Sequence, residues 1–218
     1  PVAEAVLDDV RIRVQALQAK GVTPGLGTIL VGDDGASAGY VRKKHETCEA
    51  VGIASHHLQV NAGDPPEALL EAVESFNANP EVHGYIIQHP VADGFDFNAA
   101  LSAMDPGKDA DGLHPLNLGR LVAGYDAPLP CTPRAIVALL DHYKISTKGA
   151  SVTVIGRGLT VGRPLGLLLS RKQENATVTL THTGTKDLTM HTKNADIIVA
   201  AIGQAHFLKA SMIKPGAV

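Results

Sequence analysis

The sequence has no tryptophan, and aromatic residues of all kinds make up only 4% of it. Proteins that bind single-stranded nucleic acid stack bases on aromatic side chains, so a surface of that kind is not expected here. The net charge is −3 and the basic residues form no stripe or cluster, which argues equally against duplex DNA or RNA as a partner.

Cysteine is also scarce, and Cys48 and Cys131 lie far apart in the chain. They form neither a disulfide framework nor a C-x-x-C metal motif, which is typical of a reducing compartment. The histidines form no H-E-x-x-H motif, so we expect no metal site. No charged-then-apolar leader opens the chain, and no apolar run approaches the roughly 20 residues of a membrane helix. We therefore expect a soluble cytoplasmic protein without membrane contact.

Apolar residues make up 44% of the 218 residues, enough for a buried core and for one large or two ordinary domains. In the first half, short β-branched runs alternate with segments of helical spacing, which is typical of a parallel sheet covered by helices. The predicted strands are Gly25–Val31, Ile53–Val60 and Gly84–Gln88, and the predicted helices are Val2–Lys20, Ser37–Ala50 and Pro65–Asn77.

The middle of the chain, from Pro90 to Pro130, is rich in proline, glycine and aspartate and is predicted to be irregular. Thr132 is then predicted to cap a helix whose first position is Pro133. We place the domain junction near this helix.

The second half repeats the strand–helix alternation in a form typical of the nucleotide-binding half of a doubly wound sheet. The predicted strands are Ser151–Ile155, Ala176–His182 and Ile197–Ala201, with helices at Val161–Arg171 and Lys186–Thr192 between them. The fold class expected is α/β, with two α/β domains, the second a Rossmann-type parallel sheet, and a cleft between them.

A glycine-rich segment joins the first strand and helix of that second half. Gly156, Gly158 and Gly162 follow the spacing G-x-G-x-x-x-G, which lets backbone N–H groups approach a phosphate. NAD sites usually carry a carboxylate at the end of the next strand, and none stands there. Arg157 could instead meet a 2′-phosphate, so the pattern favours NADP. A plain tight turn with a solvated arginine remains the alternative.

Three groups in the first half could form a second site. Tyr40 and Lys44 are four residues apart and share one helix face. Partial burial there would lower the pKa of the lysine toward the range useful for proton transfer. Gln88 ends a predicted strand, the end at which parallel sheets bind ligands. A solvated helix face and a turn-capping amide are the alternatives.

The segment Lys108-Asp109-Ala110-Asp111-Gly112 places two carboxylates in one loop. It lacks the glycine and glutamate positions of an EF-hand, so calcium is rejected. A carboxylate can accept two parallel hydrogen bonds from a guanidine-like edge such as that of a pterin. Turn-forming aspartates are the alternative explanation.

Taken together and in order, these motifs resemble the bifunctional methylenetetrahydrofolate dehydrogenase/methenyltetrahydrofolate cyclohydrolase family, and most of all its actinobacterial members. The resemblance runs from about Pro24 to Val218 and is carried by VGDDGASAGYVRKKHETC, GYIIQHP, DPGKDADGLHPLNLGRL, PLPCTPRAIVALL and VIGRGLTVGRPLGLLL. It implies two successive reactions of one-carbon metabolism that serve purine biosynthesis: NADP-dependent oxidation of methylenetetrahydrofolate to methenyltetrahydrofolate, and hydrolysis of that product to 10-formyltetrahydrofolate. It also implies a homodimer.

The resemblance also implies a role for each site residue. Lys44 and Gln88 would be catalytic, with the glutamine paired with the lysine, and Tyr40 and Asp111 would bind the folate. The residues expected at NADP are Gly156, Arg157, Gly158, Val161, Gly162 and Thr183. The domains expected are 1–130, for folate binding and catalysis, and 131–218, for NADP.

The same comparison leads us to expect a longer natural chain. The sequence stops inside an expected strand at Val218, without the glycine- and proline-rich segment that follows in the family, so the nucleotide domain is expected to be incomplete. Three rivals stay open at this point. They are a shikimate- or quinate-type NADP dehydrogenase, a catalytically silent folate- or nucleotide-binding protein, and a dehydrogenase that lacks cyclohydrolase activity.

Overall fold

A computed structural model describes residues 2–218, which fold into two compact units: the first ends at Leu116, and the second runs from Asn117 to Val218. The first half contains helices α1 (Val2–Gln18), α2 (Gly35–Val51) and α3 (Glu67–Ala78), and strands β1 (Gly25–Val31), β2 (Ala54–Val60) and β3 (Gly84–Ile87). Two short helices follow, α4 (Phe97–Ala103) and α5 (Pro115–Ala123).

The rest of the chain adds three more helices and three more strands, then one short turn of 3₁₀ helix. The helices are α6 (Cys131–His142), α7 (Gly162–Leu169) and α8 (Leu188–Asn194). The strands are β4 (Ser151–Ile155), β5 (Thr177–Thr181) and β6 (Ile197–Ala200), and the 3₁₀ turn is Ala210–Met212.

The sheet of the first unit is parallel and has the order β2-β1-β3. Its central strand, β1, is buried along almost its whole length because helices cover both faces of a parallel sheet. Gly27 in β1 illustrates how tightly one face packs: a Cβ there would lie 2.8 Å from the Phe76 ring and 2.8 Å from the Tyr85 Cβ. Because β1 and β3 are parallel neighbours, their carboxyl ends lie side by side at one edge of the sheet.

The sheet of the second unit is also parallel, with the order β5-β4-β6. Central strand β4 buries Val152 and Val154 completely, and they pack with Leu165 and Leu169 of α7. Leu140 of α6 joins the same cluster. The α/β class with parallel strands in two units, expected from the alternating pattern, is confirmed.

Two local expectations are wrong. The stretch from Pro90 to Pro130 is not irregular throughout, because it contains α4 and α5. Asp96 caps α4 by accepting the N–H groups of Asn98 and Ala99. Thr132 is not a cap either, since α6 begins one residue before it and Pro130 occupies the capping position.

The predicted boundary between domains, after residue 130, stays a prediction. The two compact units of the structure are divided in the chain between Leu116 and Asn117, near the start of α5. Among residues 2–218, no helix combines the length and the apolar content needed to cross a bilayer.

Candidate functional site

Helix α2 carries two of the predicted site residues. Its first turn is fixed by Asp34, whose carboxylate accepts the Ser37 N–H at 2.7 Å. The hydrogen bonds from Ser37 hold the pKa of Asp34 below its ordinary value. The helix then presents Tyr40 and Lys44 one turn apart, with Tyr40 67% exposed and Lys44 half-buried.

Lys44 meets Gln88 directly. Its Nζ donates to Gln88 Oε1 at 2.8 Å, across 44 residues of sequence. The other end of the same amide is also engaged, because Gln88 Nε2 donates to the His89 carbonyl at 2.9 Å. A reversed amide would set N–H groups against the lysine and oxygen against oxygen, so both contacts favour the orientation observed. Gln88 thus offers Lys44 a fixed acceptor.

The loop that carries Asp111 is attached to β3 by its backbone. Tyr85 N donates to the Lys108 carbonyl at 2.8 Å, and Ala110 N donates to the Tyr85 carbonyl at 3.2 Å. The bridge between Tyr85 and Asp109 is parallel, so the loop runs toward the carboxyl end of β3. Gln88 immediately follows that end.

The two aspartates of this loop are placed differently. Asp109 is 2% exposed, and its carboxylate accepts three backbone N–H groups. Asp111 is only partly buried. The turn-forming alternative raised by the sequence therefore describes Asp109, whereas the partly accessible carboxylate is that of Asp111. Sequence spacing gave no signal for this division, because both aspartates lie in the same short segment.

Tyr85 links the loop to the core. Its hydroxyl donates to Asn77 Oδ1 at 2.8 Å, and the same oxygen accepts the Asp105 N–H at 2.8 Å. Burial raises the pKa of Tyr85 above its ordinary value, and the carboxylates of Asp105 and Asp109 act in the same direction. The phenol is therefore neutral and remains a donor.

The glycine-rich turn of the second unit follows β4. Gly156 has φ 115°, and a Cβ there would lie 2.2 Å from the Ala201 carbonyl oxygen. Gly162, the first residue of α7, is equally confined, because its Cβ would lie 2.1 Å from the Gly156 oxygen. A Cβ on Gly158 would meet no atom of the described residues within 4 Å. Packing thus requires two of the three glycines and leaves space beside the third.

Side chains suited to a phosphate flank this turn. Ile155 of β4 pairs with Thr181 of β5, so Arg157 and Thr183 each stand two residues beyond neighbouring strand ends. Both side chains are exposed. The turn after β5 is closed by His182 N, which donates to the Thr185 hydroxyl at 2.9 Å.

The donor set fits NADP better than NAD. Residues 182–186 contain no carboxylate to repel a 2′-phosphate or to hold a ribose 2′-hydroxyl, and the cationic Arg157 lies beside the turn. Val161 occupies the capping position of α7 and is partly buried without a side-chain hydrogen bond to the helix.

A polar cluster that sequence reasoning missed lies in the first unit. The buried Thr28 hydroxyl contacts His45 Nε2 at 2.9 Å and His57 Nδ1 at 3.0 Å. Burial, and then the neighbouring His57, lower the pKa of His45. Thr28 of β1 pairs with His57 of β2, so the sequence could have revealed this cluster only if the strand register had been known. Among residues 2–218, no group of three or more His, Cys, Asp or Glu side chains could hold a metal ion.

Two family models match the chain. The model described as the tetrahydrofolate dehydrogenase/cyclohydrolase catalytic domain matches residues 1–111. The model described as the NAD(P)-binding domain of the same enzymes matches residues 130–218.

Individual relatives agree with those matches. The chain is 57% identical over 219 residues to the bifunctional protein FolD of Syntrophotalea carbinolica, covering 100% of this chain and 76% of that protein. Its fold is similar to the bifunctional methylenetetrahydrofolate dehydrogenase/cyclohydrolase FolD of Campylobacter jejuni, with a TM-score of 0.94, 35% identity and coverage of 99% and 76%. The Trypanosoma brucei enzyme, solved with NADP cofactor and an inhibitor, has a TM-score of 0.93, 35% identity and coverage of 100% and 74%.

Proposed function

The chain belongs to the tetrahydrofolate dehydrogenase/cyclohydrolase family, and we propose that the residues described above carry out its two reactions. The enzyme oxidises 5,10-methylenetetrahydrofolate to 5,10-methenyltetrahydrofolate with NADP and hydrolyses that product to 10-formyltetrahydrofolate. The 2.8 Å hydrogen bond between Lys44 and Gln88 is the observation that carries the assignment of residues. Hydrolysis needs a group that carries protons beside the substrate. Lys44 is such a group, and its hydrogen bond to Gln88 fixes its position.

The rivals left open by the sequence are less well supported. A shikimate- or quinate-type dehydrogenase and a silent binding protein do not account for the 57% identity to a bifunctional enzyme. That relative is named as bifunctional, and the Campylobacter jejuni enzyme has both activities in its name, which favours two activities here over a dehydrogenase alone.

Oxidation removes a hydride from the carbon that bridges two folate nitrogens. A nitrogen lone pair can assist the departure of the hydride, so this step needs no base from the protein. Bound NADP supplies the hydride acceptor. The protein holds that cofactor: Gly156 and Gly162 keep the turn compact, Gly158 leaves its backbone approachable, and Arg157 and Thr183 offer donors to the 2′-phosphate. Val161 shapes the same turn.

Hydrolysis begins when water adds to the methenyl carbon. Lys44, in its amine form, takes one proton from that water, which leaves a neutral adduct. The bond from this carbon to N5 then breaks as the remaining hydroxyl proton passes to N5, and the formyl group stays on N10. Gln88 keeps the lysine nitrogen in one position by accepting its hydrogen bond.

Folate binding is assigned to Tyr40 and Asp111. The exposed ring of Tyr40 is available to stack on the flat part of the substrate, one helical turn from Lys44. The carboxylate of Asp111 can accept two parallel hydrogen bonds from the guanidine-like edge of the pterin. Both therefore bind and orient the substrate without exchanging protons with it.

We also propose that the enzyme works in the cytoplasm as a homodimer, in the one-carbon metabolism that serves purine biosynthesis. The resemblance to the family supports both statements. Light scattering on the purified enzyme should give twice the mass of one chain, and the mass of a single chain would refute the dimer.

The assignment of Lys44 is tested by Lys44→Met, which keeps most of the length of the side chain and removes the amine. Cyclohydrolase activity should fall at least about 1,000-fold, in line with the loss of a general acid–base group. Folate binding should largely remain. The loss of methenyl-folate absorbance follows the hydrolysis, and hydrolysis at the wild-type rate would refute the assignment.

Lys43→Met provides the matched control. Lys43 stands on the same helix, but its side chain is 77% exposed and its Nζ lies 3.6 Å from Glu46 Oε2 at the surface. Exposed ion pairs of this kind contribute little to stability. The control should therefore keep wild-type rates for both reactions.

A further inference from the structure

We propose that Asp109 and Lys108 are positioning residues that hold the folate-binding carboxylate of Asp111 in place. This inference rests on the proposed function of Asp111 as a substrate-binding residue. Neither positioning residue is required to touch the substrate. Each instead fixes one side of the loop from which Asp111 projects.

Asp109 fixes the loop on the side that follows Asp111. Its Oδ1 accepts the N–H groups of Gly112 and Leu113 at 2.9 and 3.2 Å, and its Oδ2 accepts that of His114 at 2.8 Å. These hydrogen bonds span Asp111, because they join a side chain two residues before it to the backbone of the three residues that follow it. A carboxylate suits this role because both of its oxygens accept hydrogen bonds and neither donates.

Lys108 fixes the loop on the side that precedes Asp111. Its Nζ donates to the carbonyls of Phe76, Asn77 and Asn79 at 2.9, 2.9 and 2.8 Å. These carbonyls lie at the end of α3, where a helix leaves acceptors without intrahelical partners and where a positive charge is favoured. The ammonium group therefore joins the loop to a helix of the core.

The backbone between these two anchors is also confined. Gly112 has φ 71°, a left-handed conformation that favours glycine, and a Cβ on Gly84 of β3 would lie 3.3 Å from the Ala110 Cβ. Asp111 thus lies in a segment whose conformation is set on both sides before any ligand binds. A carboxylate held in this way binds with less loss of conformational entropy, which should appear as a lower KM for the folate.

The first test is Asp109→Asn, which keeps the shape of the side chain but leaves only one acceptor oxygen. Either the His114 N–H or the pair from Gly112 and Leu113 must then face an amide donor. The KM for methylenetetrahydrofolate should rise about 10-fold, while kcat and the KM for NADP stay within about 3-fold of wild type. An unchanged folate KM in a folded variant would overturn the proposal.

Asp105→Asn is the matched control in the same loop. It removes the same charge from an exposed position where the side chain accepts one N–H, that of Gly107, at 2.8 Å. The asparagine oxygen can still accept this bond. The folate KM should stay at the wild-type value, and a rise equal to that of Asp109→Asn would overturn the proposal.

A double-mutant cycle separates positioning from general destabilisation. Asp111→Ala alone should raise the folate KM about 10- to 100-fold. In that background, Asp109→Asn should add less than about 2-fold, because the carboxylate that it positions is gone. Equal effects of Asp109→Asn in both backgrounds would overturn positioning. An unchanged KM in Asp111→Ala would instead refute the binding role of Asp111 itself.

Lys108 provides a second route if Asp109→Asn does not fold. Lys108→Met removes the three donated hydrogen bonds but leaves Asp109 and Asp111 intact, and should raise the folate KM with little change in kcat. Lys108→Arg should restore most of the wild-type KM because a guanidinium can donate to the same carbonyls. A wild-type folate KM in Lys108→Met, with circular dichroism confirming the fold, would overturn the role of Lys108.

Discussion

The two units build their sites in different ways. In the first unit, charged and amide side chains are held by hydrogen bonds, as Lys44 is by Gln88 and as the Asp109 carboxylate is by three N–H groups. In the second unit, the site consists of backbone confined by close packing at Gly156 and Gly162. The side chains of Arg157 and Thr183 beside it are exposed.

This difference matches the role that we propose for each site. Proton transfer requires donor and acceptor in hydrogen-bond contact, so the groups of the first unit are oriented before the substrate arrives. A phosphate can be met by N–H groups of a fixed turn and by a flexible guanidinium that closes on it later. Removal of a polar side chain should therefore reduce activity most in the first unit. Addition of a Cβ at a glycine should reduce cofactor binding most in the second unit.

The largest effect in the second unit is expected from Gly162→Ala. Its Cβ would lie 2.1 Å from the Gly156 oxygen, so the turn or α7 must shift. We expect the affinity for NADP to fall at least about 100-fold and stability to fall by about 1–3 kcal/mol, the usual cost of overpacking. Fluorescence titration with NADPH and thermal unfolding measure the two effects.

Gly158→Ala is the control for that substitution. The added methyl group would meet no atom of the described residues within 4 Å, so the melting temperature should stay near wild type. Equal destabilisation by both alanines would contradict the idea that packing requires only two of the three glycines.

Arg157→Ala should have the next largest effect. Loss of a charge-assisted hydrogen bond should raise the KM for NADP about 10- to 100-fold, whereas the KM for NAD, which has no 2′-phosphate, should change little. Steady-state rates measured with each cofactor give the ratio of the KM for NADP to the KM for NAD. A parallel rise for both cofactors would refute the 2′-phosphate assignment.

Gln88→Glu tests how the first unit controls the protonation of its lysine. A carboxylate beside Lys44 would stabilise the ammonium form, so the amine needed for hydrolysis should appear only at higher pH. We expect an about 10-fold slower hydrolysis at neutral pH and a displaced pH profile. Gln88→Ala, which lacks the charge, should slow hydrolysis without that displacement. Identical pH profiles in the two variants would show that the charge beside Lys44 does not control the hydrolysis.

The smallest predicted effect concerns His45 and stability. Burial and His57 lower its pKa from the ordinary value of 6.5, so the unfolded chain binds the proton more readily than the folded chain. Its contribution to stability is present above pH 6.5 and is lost as pH falls through the lowered pKa. His45→Gln should therefore reduce the drop in melting temperature between pH 7.5 and pH 5.5. An equal drop in wild type and variant would exclude this cause.

The regular elements could be predicted from sequence wherever the apolar pattern was unambiguous. The bounds of β1 and β4 agree with the predicted strands because each is a short apolar run that a turn ends. Helices α4 and α5 were missed because they are short and lie in a proline- and glycine-rich stretch. Asp96 before α4 and Pro115 at the start of α5 are helix-start signals that could have revealed them.

The candidate site was predictable as a set of residues but not as a set of contacts. The spacing of Tyr40 and Lys44 placed them on one helix face, and the contact with Gln88 was implied only by the family resemblance. Nothing in the spacing separated buried Asp109 from accessible Asp111, because burial depends on how the loop docks on β3. Long-range docking of this kind is not encoded in any local pattern.

The most direct test of the difference between the units measures both reactions in Lys44→Met and in Arg157→Ala, side by side. We expect a crossed result. Lys44→Met should still reduce NADP and accumulate methenyl-folate without forming 10-formyl-folate. Arg157→Ala should lose oxidation at low NADP and still hydrolyse methenyl-folate supplied to it. Equal loss of both reactions in both variants would contradict the separation of proton transfer and cofactor binding between the two units.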